Sequence, residues 1–142
     1  MATVGWDEVV GYISGLRAAH VATVGADGEP HAAKVGFGIE GEHLWFATFA
    51  SSGKGANLRA NPHICVMFEG NQAESHVWGE VELVDDVETK TRIWESGMLP
   101  YDPAGFFGSP DNPRLVMGRV TPTRALVRAM TETGPGRFTW PT

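Results

Sequence analysis

The chain changes character halfway along the stretch "FATFASSGKGANLRANP", residues 46–62. An apolar, aromatic run gives way to two serines, two glycines and a lysine, and a short polar segment follows. The run predicts a strand, and the segment from Lys54 to Arg59 predicts a short helix. Asn61-Pro62 would end that helix, because the residue before a proline avoids the α region. The stretch therefore predicts a strand that turns sharply into a helix.

The turn between this strand and this helix is rich in groups that bind anions. The first turn of a helix offers unpaired N–H groups and a partial positive charge, which together favour a phosphate. Ser51 and Ser52 add hydroxyl groups, and Lys54 adds an ammonium group. The spacing differs from the GxxxxGK[ST] pattern of a Walker A loop. From the residues alone, two interpretations stay open, a phosphate site and an ordinary solvated turn.

Strand patterns flank this stretch on both sides. "HVATV", the turn "GADGEP" and "HAAKVGFGI" predict a hairpin, because an Asp-Gly turn separates two apolar runs. Gly36 and Gly38 inside the second strand indicate a bulge, or a flat group lying against the backbone. Further strands are predicted at "HICVMFE", "SHVWGEVELVDD" and "RLVMGRVTPTRALVRAM", the last one bent at Thr121-Pro122.

Two longer helices are expected in addition to the short one. "WDEVVGYISGLRAAH", residues 6–20, places its apolar side chains at helical spacing. "DDVETKTRIWESGM", residues 85–98, begins with Asp85 and Asp86, either of which can cap a helix. The chain is therefore predicted to carry two or three short helices.

The remaining segments predict irregular structure. "LPYDPAGFFGSPDNP", residues 99–113, reads as a proline-rich loop, and the tail, residues 131–142, is also expected to be irregular. In that tail, Phe138 and Trp140 would dock on the domain or on a second subunit. The pattern as a whole predicts a mainly β fold, a six-stranded antiparallel barrel, because short strands usually close on themselves and so remove exposed edges. Residues 1–142 are expected to form a single domain.

Composition limits the function. The chain has 142 residues, 42% of them hydrophobic, and a formal net charge of −6. The absence of a basic block argues against nucleic-acid binding. No apolar run reaches the roughly 18 residues that a membrane span needs, and the N-terminus lacks a secretory pattern, so we expect a cytoplasmic protein that does not bind membranes.

Other site chemistry finds little support in the sequence. The five histidines show no metal-ligand spacing, and Cys65 has no cysteine partner, so no metal site is predicted. No nucleophile motif such as GxSxG is present. No catalytic side chain is therefore assigned.

The ordered series "HVATVGADGEPHAAKVGF", "LWFATFASSGKGANLRANPHICVMF" and "VWGEVELVDD" resembles the pyridoxamine 5′-phosphate oxidase-related split barrels that bind flavins. The resemblance covers roughly residues 18 to 127. It is nearest to the general stress protein 26-like group and its deazaflavin-using relatives. It implies a split β-barrel that pairs as a homodimer, with the cofactor between the two subunits.

The resemblance also implies which residues hold the cofactor. In the family the strand-to-helix segment binds the flavin phosphate, and the second strand supplies main-chain contacts to the ring. Trp78 and the Phe106–Phe107 loop are expected to face the ring from the partner's side. The implied cofactor-binding residues are Lys34, Val35, Gly36, Phe37, Ala47, Thr48, Ser52, Lys54 and Trp78.

One departure from the family concerns cofactor affinity. The family often has an arginine directly before the lysine, and Gly53 occupies that position here. Either Lys34 or Arg59 compensates for the missing contact, or the cofactor binds weakly. The loss of one charge-assisted hydrogen bond costs about 1.5–3 kcal/mol.

The resemblance implies an oxidoreductase that transfers a hydride to or from a small molecule. FMN is the first choice of cofactor, and the deazaflavin F-420 is the second. The competing hypothesis is a flavin-binding or stress-associated protein without turnover. A third is a structural dimer that has lost the cofactor.

Overall fold

The computed structural model describes residues 2–16, 18–70 and 72–141. Within these ranges the chain forms nine strands and four helices. The strands are β1 Ala2–Thr3, β2 Ala18–Val24, β3 Pro30–Gly36, β4 Gly38–Glu40, β5 His43–Phe49, β6 His63–Glu69, β7 Ala73–Val84, β8 Leu115–Thr131 and β9 Gly134–Trp140. The helices are α1 Trp6–Ile13, α2 Gly53–Ala60, α3 Val87–Ser96 and α4 Ala104–Phe107. None of these four helices has the length and apolar character that crossing a membrane requires.

The barrel closes through a circuit of antiparallel neighbours. β2 pairs with β3 and β6, β6 pairs with β7, and β7 pairs with β8. The first half of β8 pairs with β5, and β5 pairs with β4. Only Phe37 separates β3 from β4, so the chain itself completes the circuit. The predicted mainly β barrel is thus confirmed.

The barrel is split between β3 and β5. β4 pairs with β5 from Gly38, opposite Trp45, to Glu40, opposite His43. Beyond Phe37 the pairing stops, and in the described part of the chain no ladder joins residues 30–36 to β5. The two strands therefore diverge and leave a gap in the wall of the barrel.

Two apolar cores lie on opposite faces of β5, because successive side chains of a strand point to opposite faces. Phe46 points into the barrel, where the Phe37 ring packs between Phe46 and Phe68 at centroid distances of 5.3 and 5.9 Å. Trp45 and Ala47 point outward into a second core beneath α3 and α4. This outer core holds the segment after α3 close to the split.

The short helix after β5 is confirmed. Its predicted span, Lys54 to Arg59, lies within the observed α2. The helix after β7 is also confirmed, and Asp86 caps it by accepting a hydrogen bond from the Thr89 N–H at 2.9 Å. The predicted bend at Thr121-Pro122 coincides with a register shift between β7 and β8.

The first predicted helix is too long. Expected over residues 6–20, it ends at Ile13, and β2 begins at Ala18. The residues of β2 alternate between exposed and buried positions and pair with strands on both sides. This strand pairing outweighs the local helical tendency of the alanines.

The prediction of six strands and an irregular tail is wrong. β1 and β9 were not predicted, β3 and β4 were predicted as one strand, and the proline-rich loop contains α4. β9 forms in the tail because its aromatic side chains dock on α1. The Trp140 ring lies 5.0 Å from that of Trp6, and the Phe138 ring lies 6.2 Å from that of Tyr12.

Candidate functional site

The gap between β3 and β5 is the site of a cavity of about 340 Å³. Residues 34–36 of β3 and residues 47–49 of β5 form two of its walls. Lys54 of α2 and the aromatic side chains of Tyr101, Phe106 and Phe107 complete the lining. The volume lies at the lower end of the range of about 300–1,000 Å³ that is typical of ligand pockets. The split thus brings the strand-to-helix turn and an aromatic surface together.

Main-chain groups border this cavity on two sides. β3 pairs with β2 along one edge, with Lys34 opposite His20 and Gly36 opposite Ala18. β5 pairs with β8 along its far edge, with Thr48 opposite Val116. The edges that face each other across the split have no strand partner among the described residues. Unpaired strand edges offer N–H and C=O groups to a ligand with polar edges.

Lys54 contributes a cation that has no counter-ion in the described part of the chain. It lies in the first turn of α2, and its side chain is half-buried at the cavity. No ion pair or hydrogen bond links its ammonium group to another residue within the ranges that the structure describes. Burial lowers the pKa of this group, because the charged form loses hydration. An anion in the cavity would supply the missing counter-charge.

Two hydroxyl groups lie next to this lysine. Ser52 caps α2, since its Oγ accepts a hydrogen bond from the Gly55 N–H at 3.1 Å. The same oxygen lies 3.0 Å from Thr48 Oγ1, with either hydroxyl as the donor. The pair has two hydroxyl hydrogens, and the bond between them uses only one. One O–H donor therefore remains for a ligand.

A second cation at the cavity comes from β3. Lys34 lines the cavity, whereas the Arg59 guanidinium donates a hydrogen bond to the Ala50 carbonyl. Of the two residues expected to compensate for Gly53, only Lys34 thus faces the site. Asn57, one turn beyond Lys54, packs against the barrel and donates a hydrogen bond to Thr23 Oγ1 at 3.1 Å.

Four aromatic rings form a connected surface at the cavity. Phe49 lies 4.8 Å from Phe107, Phe107 lies 6.1 Å from Phe106, and Phe106 lies 5.4 Å from Tyr101. Phe106 is 66% exposed, which is unusual for a side chain of its size. Planar ligands pack favourably on surfaces of this kind.

Gly36 of β3 and Gly38 of β4 are needed because other parts of the chain pack directly against their backbone. A Cβ atom at Gly36 would lie 2.7 Å from Pro100 Cγ and 3.1 Å from two ring carbons of Tyr101. A Cβ atom at Gly38 would lie 2.5 Å from Met98 Cγ. The flat group against this backbone is therefore a segment of the same chain.

The structure brings together most of the predicted site residues. Those that line the cavity are Lys34, Val35, Gly36, Ala47, Thr48 and Lys54. Ser52 adjoins them through Thr48. The Phe37 side chain is fully buried inside the barrel, so for this residue the prediction concerns the main chain alone. Trp78 lies on β7, away from the cavity lining, and its assignment requires a second subunit.

Sequence reasoning missed Tyr101 and Phe49 as lining residues. Tyr101 belongs to a segment without regular structure, so no periodicity marks its direction. Phe49 is the last residue of β5 and was assigned only to the strand. The signal that pointed to this region was the excess of aromatic residues in the proline-rich stretch.

A larger hollow of about 730 Å³ lies at the far end of β6–β9. Its charged lining residues have both signs, and Glu74 lies opposite Arg128, which in turn lies opposite Arg137. Among the described residues, its lining contains no half-buried cation comparable to Lys54 and none of the predicted site residues. We therefore place the candidate site in the smaller cavity at the split.

A model of the pyridoxamine 5′-phosphate oxidase family matches residues 6–129. The chain belongs to this family. The match includes every residue that lines the cavity. A curated family member, the pyridoxine/pyridoxamine 5′-phosphate oxidase of Cupriavidus metallidurans, is 42% identical over 72 residues. That alignment covers 49% of this chain and only 34% of the relative.

Several solved structures share the fold of this chain. The General Stress Protein 26 of Bacillus anthracis str. Sterne has 23% identity and a TM-score of 0.71, with 85% of this chain and 91% of that chain covered. A pyridoxamine 5′-phosphate oxidase-related, FMN-binding protein of Nostoc punctiforme PCC 73102 has 15% identity and a TM-score of 0.75, with 96% and 91% covered. An F420 reductase has 28% identity and a TM-score of 0.62, with 81% and 95% covered.

Proposed function

We propose that this protein binds a flavin-type cofactor through its phosphate and acts as an oxidoreductase on a small molecule. Lys54 is the observation that carries the proposal, because it is a half-buried ammonium group that has no counter-ion among the described residues, at a cavity between two strand edges that those residues leave unpaired. A group of this kind is stabilised by an anion, and a helix N-terminus favours phosphate. We further propose that residues 1–142 act as a single cytoplasmic domain.

The residues at the cavity fit such a cofactor. Lys54 and the spare hydroxyl of the Thr48–Ser52 pair would hold the phosphate, with Lys34 as a second cation. Main-chain groups of residues 34–37 and of Ala47 would bind the polar edges of the ring. A bound flavin supplies hydride-transfer chemistry. The protein's part is to bind the phosphate, orient the ring and exclude water.

FMN is our first choice and the deazaflavin F-420 our second. Both carry a phosphate group, which is the feature that Lys54 would recognise. Support for FMN comes from the FMN-binding relative of Nostoc punctiforme. Support for the deazaflavin comes from the F420 reductase, which has the higher sequence identity of the two.

A homodimer is part of the proposal, because one chain leaves the cavity partly open. The outer face of the sheet at β6–β8 carries half-buried apolar side chains, among them Trp78, Met67 and Leu126. The Arg124 guanidinium lies 3.7 Å from the centroid of the Trp78 ring. Glutamates of β6 and β7 lie beside arginines of β8 and β9 on this face. A second copy, related by a two-fold axis, would match acidic to basic groups.

Replacing Trp78 by aspartate is expected to shift the protein from dimer to monomer, because it places a charge in the centre of this apolar face. FMN affinity should fall together with dimerisation. Analytical ultracentrifugation measures the mass against 15.3 kDa per chain, and fluorescence titration measures the affinity. Val87→Asp, at an exposed position of α3, is the control that should change neither. A monomeric wild-type protein that binds FMN tightly would refute the shared site.

Titration of the purified protein with FMN and with F-420 tests the proposed cofactor. We expect saturable binding of one of the two. If FMN binds, NAD(P)H should reduce the bound FMN. If F-420 binds, an acceptor dye should oxidise the bound, reduced F-420. Binding without any redox turnover would favour the second candidate, a flavin-binding protein without catalysis. Gly53 favours that candidate, because it leaves the site one cation poorer than is usual in the family. If neither compound binds, the proposal falls.

A further inference from the structure

An imidazole ring from β3 lies against the first residue of α2. His31 is the second residue of β3, and Gly53 is the first residue of α2. A Cβ atom at Gly53 would have this ring as its nearest neighbour, with His31 Nε2 at 3.4 Å, Cε1 at 3.5 Å and Cδ2 at 3.8 Å. The Nε2 edge of the imidazole therefore faces the beginning of the helix.

The glycine at position 53 leaves room for this contact. All three of the nearest heavy atoms around its missing Cβ belong to His31. A long side chain at position 53 would compete with the imidazole for the same space. Because Gly53 has no side chain, the ring can approach the main chain of α2 closely.

His31 has no partner in the described part of the chain. Three other histidines, His20, His63 and His76, each lie within 4.0 Å of a glutamate carboxylate. His31 forms neither an ion pair nor a hydrogen bond with any residue that the structure describes. Its ring is thus available to a ligand at the beginning of α2.

The charged groups around this ring are of both signs. The residue opposite His31 on β2 is the uncharged Thr23, and the Arg59 guanidinium of α2 is bonded to the Ala50 carbonyl. The other charged residues on the neighbouring elements are Lys34 of β3, Lys54 of α2, and Asp27 and Glu29 of the turn between β2 and β3. Lys54 follows Gly53 directly, so a protonated His31 and Lys54 would repel each other. An anion bound between them would remove that repulsion.

Hydrogen-bond donors meet at residues 52–54. The main-chain N–H groups of Gly53 and Lys54 have no acceptor among the described residues, because the Ser52 cap accepts from Gly55. The Ser52 hydroxyl, the Lys54 ammonium group and the His31 imidazole lie around the same turn. Of these groups, the imidazole is the one whose charge changes between about pH 5 and pH 8.

We propose that His31 binds the phosphate of the cofactor through Nε2, and that its protonation sets how tightly the cofactor is held. This inference rests on the proposed function and deepens it, because it names a regulation of that site. A protonated imidazole donates a charge-assisted hydrogen bond to phosphate, and a neutral imidazole does not. The contribution of His31 is therefore full at the acid end of the range in which histidine titrates and is lost at its alkaline end.

Fluorescence titration of the wild-type protein and His31→Gln with FMN, at about pH 6 and about pH 8, tests this inference. Glutamine keeps a hydrogen-bonding side chain and removes the charge. We expect FMN affinity to fall about fivefold in the variant at the lower pH and to differ little at the higher pH. The second ionisation of the phosphate affects both proteins alike, so the ratio of their affinities isolates His31. Riboflavin, which lacks the phosphate, should bind both proteins equally.

Two further variants strengthen the test. His43→Gln removes a histidine at the start of β5, outside the cavity lining, and should leave FMN affinity unchanged at both pH values. Gly53→Arg in the His31→Gln background places a permanent cation where the imidazole was. It should restore FMN affinity at the lower pH and keep it at the higher pH, because a guanidinium stays charged throughout.

The outcomes separate this inference from the proposed function. If the wild-type protein binds FMN and His31→Gln binds it equally well at both pH values, the inference falls and the proposed function stands. The inference also falls if the loss in His31→Gln is the same at both pH values, or is the same for riboflavin as for FMN. If the wild-type protein does not bind FMN at either pH, the proposed FMN site falls and the role of His31 falls with it.

Discussion

Replacing Lys54 by alanine is expected to weaken FMN binding by at least tenfold, or about 1.4 kcal/mol. The variant removes the half-buried ammonium group that has no counter-ion in the described chain, while the Ser52 cap of α2 stays in place. A charge-assisted hydrogen bond to phosphate is worth more than a neutral one, so this single change should have the largest effect on binding. Fluorescence titration at fixed salt concentration measures the loss.

Arg92→Ala is the matched control for this variant. It removes the same charge from an exposed position of α3, outside the cavity lining and outside the proposed dimer face. Screening makes a distant surface charge nearly irrelevant at physiological salt, so FMN affinity should change by less than about twofold. Equal losses in the two variants would indicate an unspecific charge effect. No loss in Lys54→Ala would remove this residue from the site.

The pH dependence of binding follows from the same lysine. Burial lowers the pKa of Lys54 from its ordinary value of 10.5, and a bound phosphate would raise it again. Between these two pKa values the complex holds more protons than the free protein. The affinity for the phosphate therefore has its full value below the Lys54 pKa of the free protein. It falls as the pH rises from that pKa to the Lys54 pKa of the complex. Above about pH 7.5, where the phosphate is fully ionised, this decline should be absent in Lys54→Ala.

The strand-to-helix corner was predictable because its determinants are local. Ser52 caps the helix, and Asn61-Pro62 ends it within a single stretch of sequence. The grouping of Lys34 with Lys54 was not readable from periodicity and came from the resemblance. It depends on the divergence of β3 and β5 beyond Phe37, which is a property of the closed barrel.

What the sequence could not reveal depends on long-range packing. Gly36 indicated a flat group against the backbone, and only the fold shows that Pro100 and Tyr101 fill this space. β9 forms because aromatic side chains of the tail meet α1, more than a hundred residues earlier in the chain. A single strand pattern holds no information about such partners.

Lys90 is the clearest case of a residue whose role appears only in three dimensions. Its side chain is 1% exposed, and its ammonium group donates hydrogen bonds to the carbonyls of Asn112 and Leu115 at 3.1 and 3.0 Å. The Asn112 side chain in turn donates to the Phe107 carbonyl at 2.9 Å. Lys90 therefore anchors the segment that carries Phe107 to the cavity.

Replacing Lys90 by methionine is expected to lower the free energy of unfolding by about 2 kcal/mol, because two carbonyls lose their donor. For a chain of this length we expect the midpoint of thermal unfolding to fall by about 6 °C. Differential scanning calorimetry measures the shift.

Arg92→Met in the same helix provides the comparison for Lys90→Met. Its guanidinium forms an exposed ion pair with Glu40, at 2.6 and 3.3 Å, and this contact lowers the pKa of that carboxyl. Exposed ion pairs contribute only about 0–1 kcal/mol, so the midpoint should fall much less than in Lys90→Met. An unchanged or higher midpoint in Lys90→Met would mean that the desolvation cost of the buried ammonium outweighs its two hydrogen bonds, and the anchoring role would then fail.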